Sequence, residues 1–281
     1  MNWPIARGLG LHIWRSLLIA LGLAVVALIS LADRATVYPA AQRAANTGTD
    51  LFTLLVALLL LACLWLARRG SSRAHAPWAL AGLLLWPGAL FYLVYIYSFY
   101  AVALFNGLFL AYLALVAMSA VALVSLVAAI DADAVARRLE GRVPARLAGG
   151  VLVALGLLFA VIDAAAALQA LQGGAPLDPA QHAAWIVDLA LECPALIAGG
   201  VLLWLRRPLG YAWGAALLLK ISLLIVGVPV GAALGAWLTG APFDPSSLVL
   251  LALALAPLAV LASFVRAADG RAAVAAPQLL S

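Results

Sequence analysis

The stretch Asp50–Arg69, DLFTLLVALLLLACLWLARR, determines the fold class predicted for the whole chain. No charged side chain lies between Asp50 and Arg68. An α-helix rises about 1.5 Å per residue, so about 20 apolar residues cross a hydrocarbon core about 30 Å thick. A charge at each end of such a run, with none inside it, is typical of a transmembrane helix. We therefore expect this segment to cross a membrane.

The composition extends this interpretation to the whole chain. Hydrophobic residues make up 67% of the 281 residues, charged residues make up 10%, and the mean hydropathy is +1.15. Soluble domains are roughly half apolar and a quarter charged, so these values exclude a soluble protein. The sequence pI of about 9.6 does not indicate nucleic-acid binding, because the arginines are scattered between apolar runs. Cys63 and Cys193 lie within apolar runs and form neither a disulfide framework nor a CxxC metal motif.

Apolar runs of the required length predict an all-α integral membrane protein with eight transmembrane helices. The third and fourth runs are continuous in the sequence, and we divide them near Ser98–Asn106 because together they are too long for one span. The eight predicted spans are Ser16–Leu31, Leu51–Ala67, Trp78–Tyr97, Phe105–Ile130, Leu147–Leu171, Ala184–Leu205, Gly210–Thr239 and Leu248–Val265.

Arginine placement predicts the orientation of these spans. With a cytoplasmic N-terminus, thirteen arginines fall on the cytoplasmic side and only Arg34 and Arg43 fall outside. Positive charge concentrates on the cytoplasmic side of multi-pass proteins, so we expect a bacterial-type inner-membrane protein with both termini cytoplasmic. The thirteen are Arg7, Arg15, Arg68, Arg69, Arg73, Arg137, Arg138, Arg142, Arg146, Arg206, Arg207, Arg266 and Arg271.

A group of aromatic residues near the third boundary is expected at the outer membrane interface, where amphipathic rings concentrate. Its members are Phe91, Tyr92, Tyr95, Tyr97, Phe99, Tyr100 and Phe105.

The chain also matches itself at an offset of 138 to 139 residues. Asp50–Arg69 corresponds to Asp188–Arg207, DLALECPALIAGGVLLWLRR, and shorter matches flank this pair in the same order. The flanking pairs are AQRAA (Ala41–Ala45) with AQHAA (Ala180–Ala184), and SLVAAID (Ser125–Asp131) with SFVRAAD (Ser263–Asp269). The sequence therefore predicts a tandem repeat of two four-helix units, residues 1–138 and 139–281.

An even number of spans in each unit predicts that both units enter the membrane in the same orientation, which is a parallel repeat. Residues shared by the two units, such as Asp50 and Asp188, are expected to serve the common architecture by capping helices at their outer ends. The alternative that the first apolar run is a cleaved signal peptide is disfavoured, because the repeat makes that run the partner of the fifth span.

The two units differ in their intramembrane charges. Lys220 is the only lysine of the chain and lies within LLLKISLLI, whereas its counterpart in the first unit is Pro87. Glu192 corresponds to Leu54, and Asp163 corresponds to an apolar or hydroxyl residue. Such charges are costly in a bilayer and usually serve function, so Lys220, Glu192, Asp188 and Asp163 are the candidate pathway residues.

Helix geometry places these side chains at matching depths. Lys220 lies roughly 15 Å from the inner end of its span and Glu192 roughly 12 Å from the outer end of the preceding span, so both are near the midplane. Asp188 is expected one turn closer to the outer surface than Glu192, and Asp163 roughly 8–12 Å from that surface, level with these two acids. Pro194, Pro229 and Pro87 are candidate kink or gating positions, because proline leaves a backbone carbonyl without its helical donor. Close helix approach is expected at the glycines Gly199, Gly200 and Gly227.

No motif for metal, haem, nucleotide or hydrolytic chemistry occurs in a suitable context. His12, His75 and His182 form no facing pair, so no cofactor or metal site is predicted.

The expected partners are the lipid bilayer and an unidentified small solute, ion or proton; the oligomeric state is left open. The favoured hypothesis is a proton- or cation-coupled small-solute permease. The alternative is a non-transporting accessory or assembly module in which Glu192 and Lys220 form a structural pair. An enzyme acting on a lipid is the third hypothesis and has no motif to support it.

Overall fold

The structure is a computed structural model that describes residue 4 and residues 8–72, 78–173 and 177–269. This part of the chain is helical and without β-strands. Within it, eight helices are long and apolar enough to cross a membrane, which confirms the predicted multi-pass α-helical membrane protein. These spans are Leu9–Ala32, Ala40–Gly70, Ala79–Ala103, Phe109–Ala129, Ala145–Gly173, Pro179–Trp204, Pro208–Thr239 and Pro245–Ala268.

Short helices join or precede some of the spans. One of them, α6 (Ala132–Leu139), is amphipathic and connects the fourth and fifth spans. The sixth span consists of α8 (Pro179–Val187), a π-helical turn (Asp188–Glu192) and α9 (Cys193–Trp204) in direct succession. The α-helices are α1 (Leu9–Ala32), α2 (Arg34–Val37), α3 (Arg43–Ser72), α4 (Ala79–Ala103), α5 (Phe109–Ala129), α6 (Ala132–Leu139), α7 (Ala145–Gly173), α8 (Pro179–Val187), α9 (Cys193–Trp204), α10 (Pro208–Thr239) and α11 (Val249–Ala268).

The predicted helix starts at Leu51 and Ala184 were too late. Helix α3 begins at Arg43 and α8 begins at Pro179, because polar residues continue both helices beyond their apolar runs. Asp50 and Asp188 therefore lie inside helical segments, and the prediction that they cap helix ends was wrong. The α8 cap is Asp178, whose side chain accepts from the backbone N–H of Ala180.

The boundary between the third and fourth spans also lies later than predicted. Helix α4 continues through Ser98 to Ala103, and the break covers residues 104–108. Asn106 organises this break: its side-chain oxygen accepts from the Leu108 N–H at 2.9 Å and its amide donates to the Val37 carbonyl at 3.0 Å. A single polar side chain therefore pairs one backbone N–H at the break and connects the break to the segment that ends α2.

The predicted aromatic interface belt was wrong for most of its members. Phe91, Tyr92, Tyr95, Tyr97 and Tyr100 are each at most 5% exposed and belong to the hydrophobic core. They are buried because α4 is apolar on all sides, as expected of a helix enclosed by other helices. Phe99 is half-buried, and only Phe105, at 91% exposure, is on the surface.

Helices α4 and α10 form the centre of the bundle. Helix α4 packs against α3, α5, α8 and α10, and α10 packs against α3, α4, α9 and α11. The contact between α3 and α10 therefore crosses from the first four spans to the last four, as does the contact between α4 and α8. The third and seventh spans meet directly.

Glycines permit the closest helix contacts. A Cβ atom at Gly48 of α3 would lie 1.7 Å from the Gly231 carbonyl oxygen of α10, and one at Gly88 of α4 would lie 2.5 Å from the Ala216 carbonyl oxygen. Small residues allow helix backbones to approach in a membrane. The close approach predicted at Gly199, Gly200 and Gly227 is confirmed, and the contacts at Gly48 and Gly88 were not foreseen.

Two polar contacts relate the ends of the spans. The Gln42 amide, just before α3, donates to the Asp178 carboxylate, just before α8, at 3.1 Å. The second and sixth spans therefore begin at the same end of the bundle. Arg15 of α1 lies 3.3 Å from the Ser125 hydroxyl near the end of α5, at the opposite end.

Ten of the thirteen arginines assigned to the cytoplasmic side are described, and they lie close to helix ends or in the connections between helices. Arg7, Arg73 and Arg271 lie outside the described residues, as does His75. Which end of the bundle faces the cytoplasm stays a prediction.

A buried hydrogen bond between α1 and α4 gives a first testable expectation. The Trp86 indole N–H donates to the Ser16 hydroxyl at 2.9 Å, and both residues are 0% exposed. Ser16→Ala should lower the free energy of unfolding by about 1–3 kcal/mol, because it leaves a buried donor unpaired. Denaturant unfolding of the purified protein in detergent measures this change. Ser263→Ala is the matched control, since the Ser263 hydroxyl bonds to a carbonyl of its own helix; an equal loss in both variants would contradict the expectation.

Candidate functional site

A buried ion pair joins the sixth and seventh spans. The Lys220 ammonium of α10 donates to the Glu192 carboxylate, at the end of the π-helical turn, and both side chains are 0% exposed. The structure therefore brings together the two residues that helix depth had placed at one level. Each charge has a partner of opposite sign, which reduces the large cost of placing either one alone in a low-dielectric interior.

Aromatic rings of α4 form a third wall of this site. The Lys220 nitrogen lies 3.8 Å from the centre of the Tyr95 ring and 5.3 Å from the centre of the Phe91 ring. An ammonium over an aromatic face is attracted by the ring's negative face. The sequence did not reveal these partners, because both aromatic residues had been assigned to the membrane interface.

The other two predicted acids adjoin the pair. The Asp188 carboxyl lies close to the Tyr95 hydroxyl and to the Asp163 carboxyl of α7, and within electrostatic range of Lys220. Unlike the pair, Asp163 and Asp188 are only half-buried. The four predicted residues thus form one cluster, here called the acid–lysine cluster, that leads from partly exposed carboxyls to a fully buried pair.

The acids of the cluster have unused acceptor capacity. One buried oxygen of each acid, Asp163 Oδ2, Asp188 Oδ1 and Glu192 Oε1, has no hydrogen-bond partner. Three carboxyls face a single ammonium, so the cluster is formally negative when every group is ionised. Such an arrangement favours taking up a proton or holding a cation.

The backbone of the cluster is irregular. Residues Asp188–Glu192 form a π-helical turn, in which the Cys193 N–H bonds to the Asp188 carbonyl five residues earlier. Pro194 follows at once and has no N–H to donate to the Ala190 carbonyl, so the regular hydrogen-bond ladder is interrupted at this point. Single π turns inside helices occur frequently at functional sites. The sequence had indicated the proline but not the π turn.

The other two candidate kink residues lie inside continuous helices. Pro87 is buried within α4 and Pro229 is buried within α10, and both helices continue through them. Pro87 is next to Gly88, whose close contact with Ala216 brings α4 against α10 one turn before Lys220. A gating role for the three prolines stays a prediction.

A second buried acid was misassigned by sequence reasoning. Asp50 of α3 is 2% exposed, and its carboxylate accepts from the hydroxyls of Tyr38 and Tyr100. The signal that could have identified it is the spacing of Asn46, Thr47 and Asp50, which puts three polar side chains on one helix face.

Three pockets are described in the structure, with volumes of about 390, 580 and 400 Å³. The first is lined by residues around Tyr38 and Asn106, the second by α7, α8 and the π-helical turn, and the third by α1 and α3. None of the three is lined by Glu192 or Lys220. Among the described residues, no group of three or more His, Cys, Asp or Glu side chains has the arrangement of a metal site.

Comparisons with known protein families, with characterised proteins and with solved structures found no match to this chain.

Proposed function

We propose that this membrane protein is a permease that couples the passage of a small solute to a proton or cation, with the acid–lysine cluster as the coupling site. The observation that carries the proposal is the continuity of the cluster. Half-buried Asp163 and Asp188 adjoin a Glu192–Lys220 pair that is fully buried among three spans. Ionisable side chains inside membrane spans are costly, and by default they are candidates for ion or proton pathways.

The positions of the four groups suggest how a proton moves. In this proposal Asp163 and Asp188, the two half-buried members of the cluster, receive a proton or cation before the buried pair does. When Glu192 takes the proton, its negative charge is lost, and Asp188, which is within electrostatic range of Lys220, becomes the counter-ion of the ammonium. Lys220 thus remains charge-balanced in both states.

We further infer that the chain is a tandem repeat of two four-helix units with both termini cytoplasmic. The inter-unit contacts support the repeat: the second span of each unit packs against the third span of the other, and the two third spans meet. A parallel two-fold repeat produces this pattern. The shared end of the second and sixth spans, at Gln42 and Asp178, agrees with equal orientation of the units. The cytoplasmic placement of the termini rests on the distribution of the arginines.

A specific observation favours the accessory-module alternative as the second candidate. Both members of the Glu192–Lys220 pair are 0% exposed, and the pair lies under the Tyr95 ring. A sealed pair can lock α9 to α10 without exchanging a proton. The two functions differ in what removal of both charges does to activity.

Proton movement in reconstituted vesicles tests the permease. Purified protein in liposomes that contain a pH-sensitive dye is given an outside pulse from a panel of neutral amino acids, sugars and alkali-metal salts. At least one solute should change the internal pH faster than in empty liposomes. Asp188→Asn should slow that change by about tenfold or more, which corresponds to about 1.4 kcal/mol in the barrier, because the second counter-ion of Lys220 is lost.

Asp244→Asn provides the matched control for this measurement. Asp244 is an exposed acid whose side chain accepts hydrogen bonds from the N–H and the hydroxyl of the neighbouring Ser246. Its variant should retain the wild-type rate. Wild-type vesicles that respond like empty ones to every solute of the panel, or an equal loss in the two variants, would argue against coupling through the cluster.

A further inference from the structure

A groove between α7 and α8 is the largest of the three described pockets, with a volume of about 580 Å³. Its walls are mostly apolar, with Ala170 on α7 and Ile186 on α8 among the lining residues. The Trp185 side chain, which is only 8% exposed, also lines it. Pockets that bind small molecules commonly have volumes of about 300–1,000 Å³, so this groove has room for an organic molecule.

Two acids of the acid–lysine cluster adjoin this groove. Asp163 lies four residues before Ala167, a groove residue of α7, and residues four apart share one helix face. Asp188 lies in the π-helical turn directly before Leu189 and Ala190, which also line the groove. The two carboxyls are close to each other, so they meet between the same two spans that form the groove.

The charge beside the groove is unbalanced. Asp163 Oδ2 and Asp188 Oδ1 are buried oxygen atoms without a hydrogen-bond partner. Among the described residues, the cation that interacts with Asp188 is Lys220, which is already paired with Glu192. A positively charged ligand in the groove would therefore supply the charge that this group of acids lacks.

The edge of the groove is apolar and exposed. Leu171 of α7 is 79% exposed, and Ile186 of α8 is 41% exposed. Exposed apolar side chains of a membrane span contact lipid chains, which are as apolar as leucine. A ligand that reaches the groove from this side must therefore be soluble in lipid. Lipid solubility and positive charge together define one class of ligand.

We propose that the α7–α8 groove binds a lipophilic organic cation, with its charge beside Asp163 and Asp188 and its apolar groups against Trp185 and Ala170. A lipid acyl chain would also fill an apolar groove, but it has no charge to match the two acids. Binding of the cation stands on the groove and its acids alone. Only the assignment of this cation as the transported solute rests on the proposed function.

Equilibrium binding of radioactive tetraphenylphosphonium to the purified full-length protein in detergent tests the site. Binding should be saturable after subtraction of the signal that remains with excess unlabelled compound. Tetraphenylborate is the matched ligand control, because it has the same shape and apolar surface with a negative charge, and it should not displace the cation. Asp163→Asn should raise the half-saturating concentration by about tenfold, which corresponds to about 1.4 kcal/mol.

Filling the groove provides a second variant that leaves every charge in place. Ala170→Phe should raise the half-saturating concentration by about tenfold or more, because the added ring occupies the groove. Ala24→Phe is the matched control, since it places the same ring in the groove between α1 and α3 and should leave the concentration unchanged. Equal effects of the two phenylalanine variants would overturn the proposal.

Two further results would also overturn it. The first is the absence of saturable tetraphenylphosphonium binding to the wild type. The second is displacement by tetraphenylborate together with unchanged binding in Asp163→Asn, which would identify a groove for lipid chains.

Tetraphenylphosphonium added to the dye-loaded liposomes separates this inference from the permease proposal. Saturable binding without a change of internal pH would keep the binding site and remove the cation as the transported solute. No binding, together with a pH change driven by another solute, would overturn the site and keep the permease.

Discussion

Lys220→Met is expected to lower the free energy of unfolding by about 3–5 kcal/mol, one of the two largest effects of any single substitution considered. The change leaves the Glu192 carboxylate buried at 0% exposure without its counter-ion. It also removes the ammonium from the Tyr95 ring. Equilibrium unfolding in mixed detergent micelles, followed by tryptophan fluorescence or circular dichroism, measures the loss. Arg266→Met is the control, because Arg266 is an exposed cation near the end of α11.

The double variant Lys220→Met/Glu192→Gln should recover most of the lost stability. Removing both charges together leaves no unpaired ion, so the double change should cost much less than the removal of one partner alone. A double-mutant cycle should therefore give a strong favourable coupling between the two positions. Additive losses, with the double variant less stable than either single variant, would show that the pair does not interact as the structure describes.

Gly48→Ala is expected to destabilise the protein by at least about 3 kcal/mol, in the upper part of the range for overpacked cores. The added Cβ would lie 1.7 Å from the Gly231 carbonyl oxygen and 2.9 Å from the Gly235 backbone nitrogen. Backbone atoms cannot rotate away as a flexible side chain can, so α3 and α10 must separate. Because these helices belong to the second and seventh spans, the variant should lose cooperative unfolding and elute broadly in size-exclusion chromatography.

Gly10→Ala serves as the matched control for that substitution. Gly10 is also helical, and a Cβ at that position meets no atom within 4 Å. Alanine favours a helix over glycine by about 1 kcal/mol, so the control should be as stable as the wild type or slightly more stable. A Gly48→Ala protein with wild-type stability would contradict the close α3–α10 contact.

The eight spans could be predicted from the sequence because membrane crossing is set by length and apolarity. The ends of the helices were less predictable than the existence of the spans. Asn46, Thr47 and Asp50 lie before the predicted start of the second span at Leu51, although in the bundle they are buried in the first turns of α3. A search for apolar runs cannot recognise polar residues that are buried against other helices, and this is why Asp50 was interpreted as a cap.

Part of the acid–lysine cluster could also be predicted from the sequence. Depth along a helix follows from residue number, so Lys220 and Glu192 could be placed at one level. The direction in which a side chain points around the helix axis does not follow from the sequence when every side of the helix is apolar. Helix α4 gives no indication that Tyr95 and Phe91 face Lys220. The π turn at Asp188–Glu192 also depends on tertiary context and had no signal beyond Pro194.

Solute-driven proton flux by the Lys220→Met/Glu192→Gln double variant tests the permease proposal most directly. The variant should fold, so its activity can be compared with that of the wild type at equal amounts of reconstituted protein. If the pair exchanges a proton during transport, the flux should fall to the level of empty liposomes while the unfolding transition stays cooperative. A folded double variant that retains the wild-type flux would contradict the coupling role and assign the Glu192–Lys220 pair to structure alone.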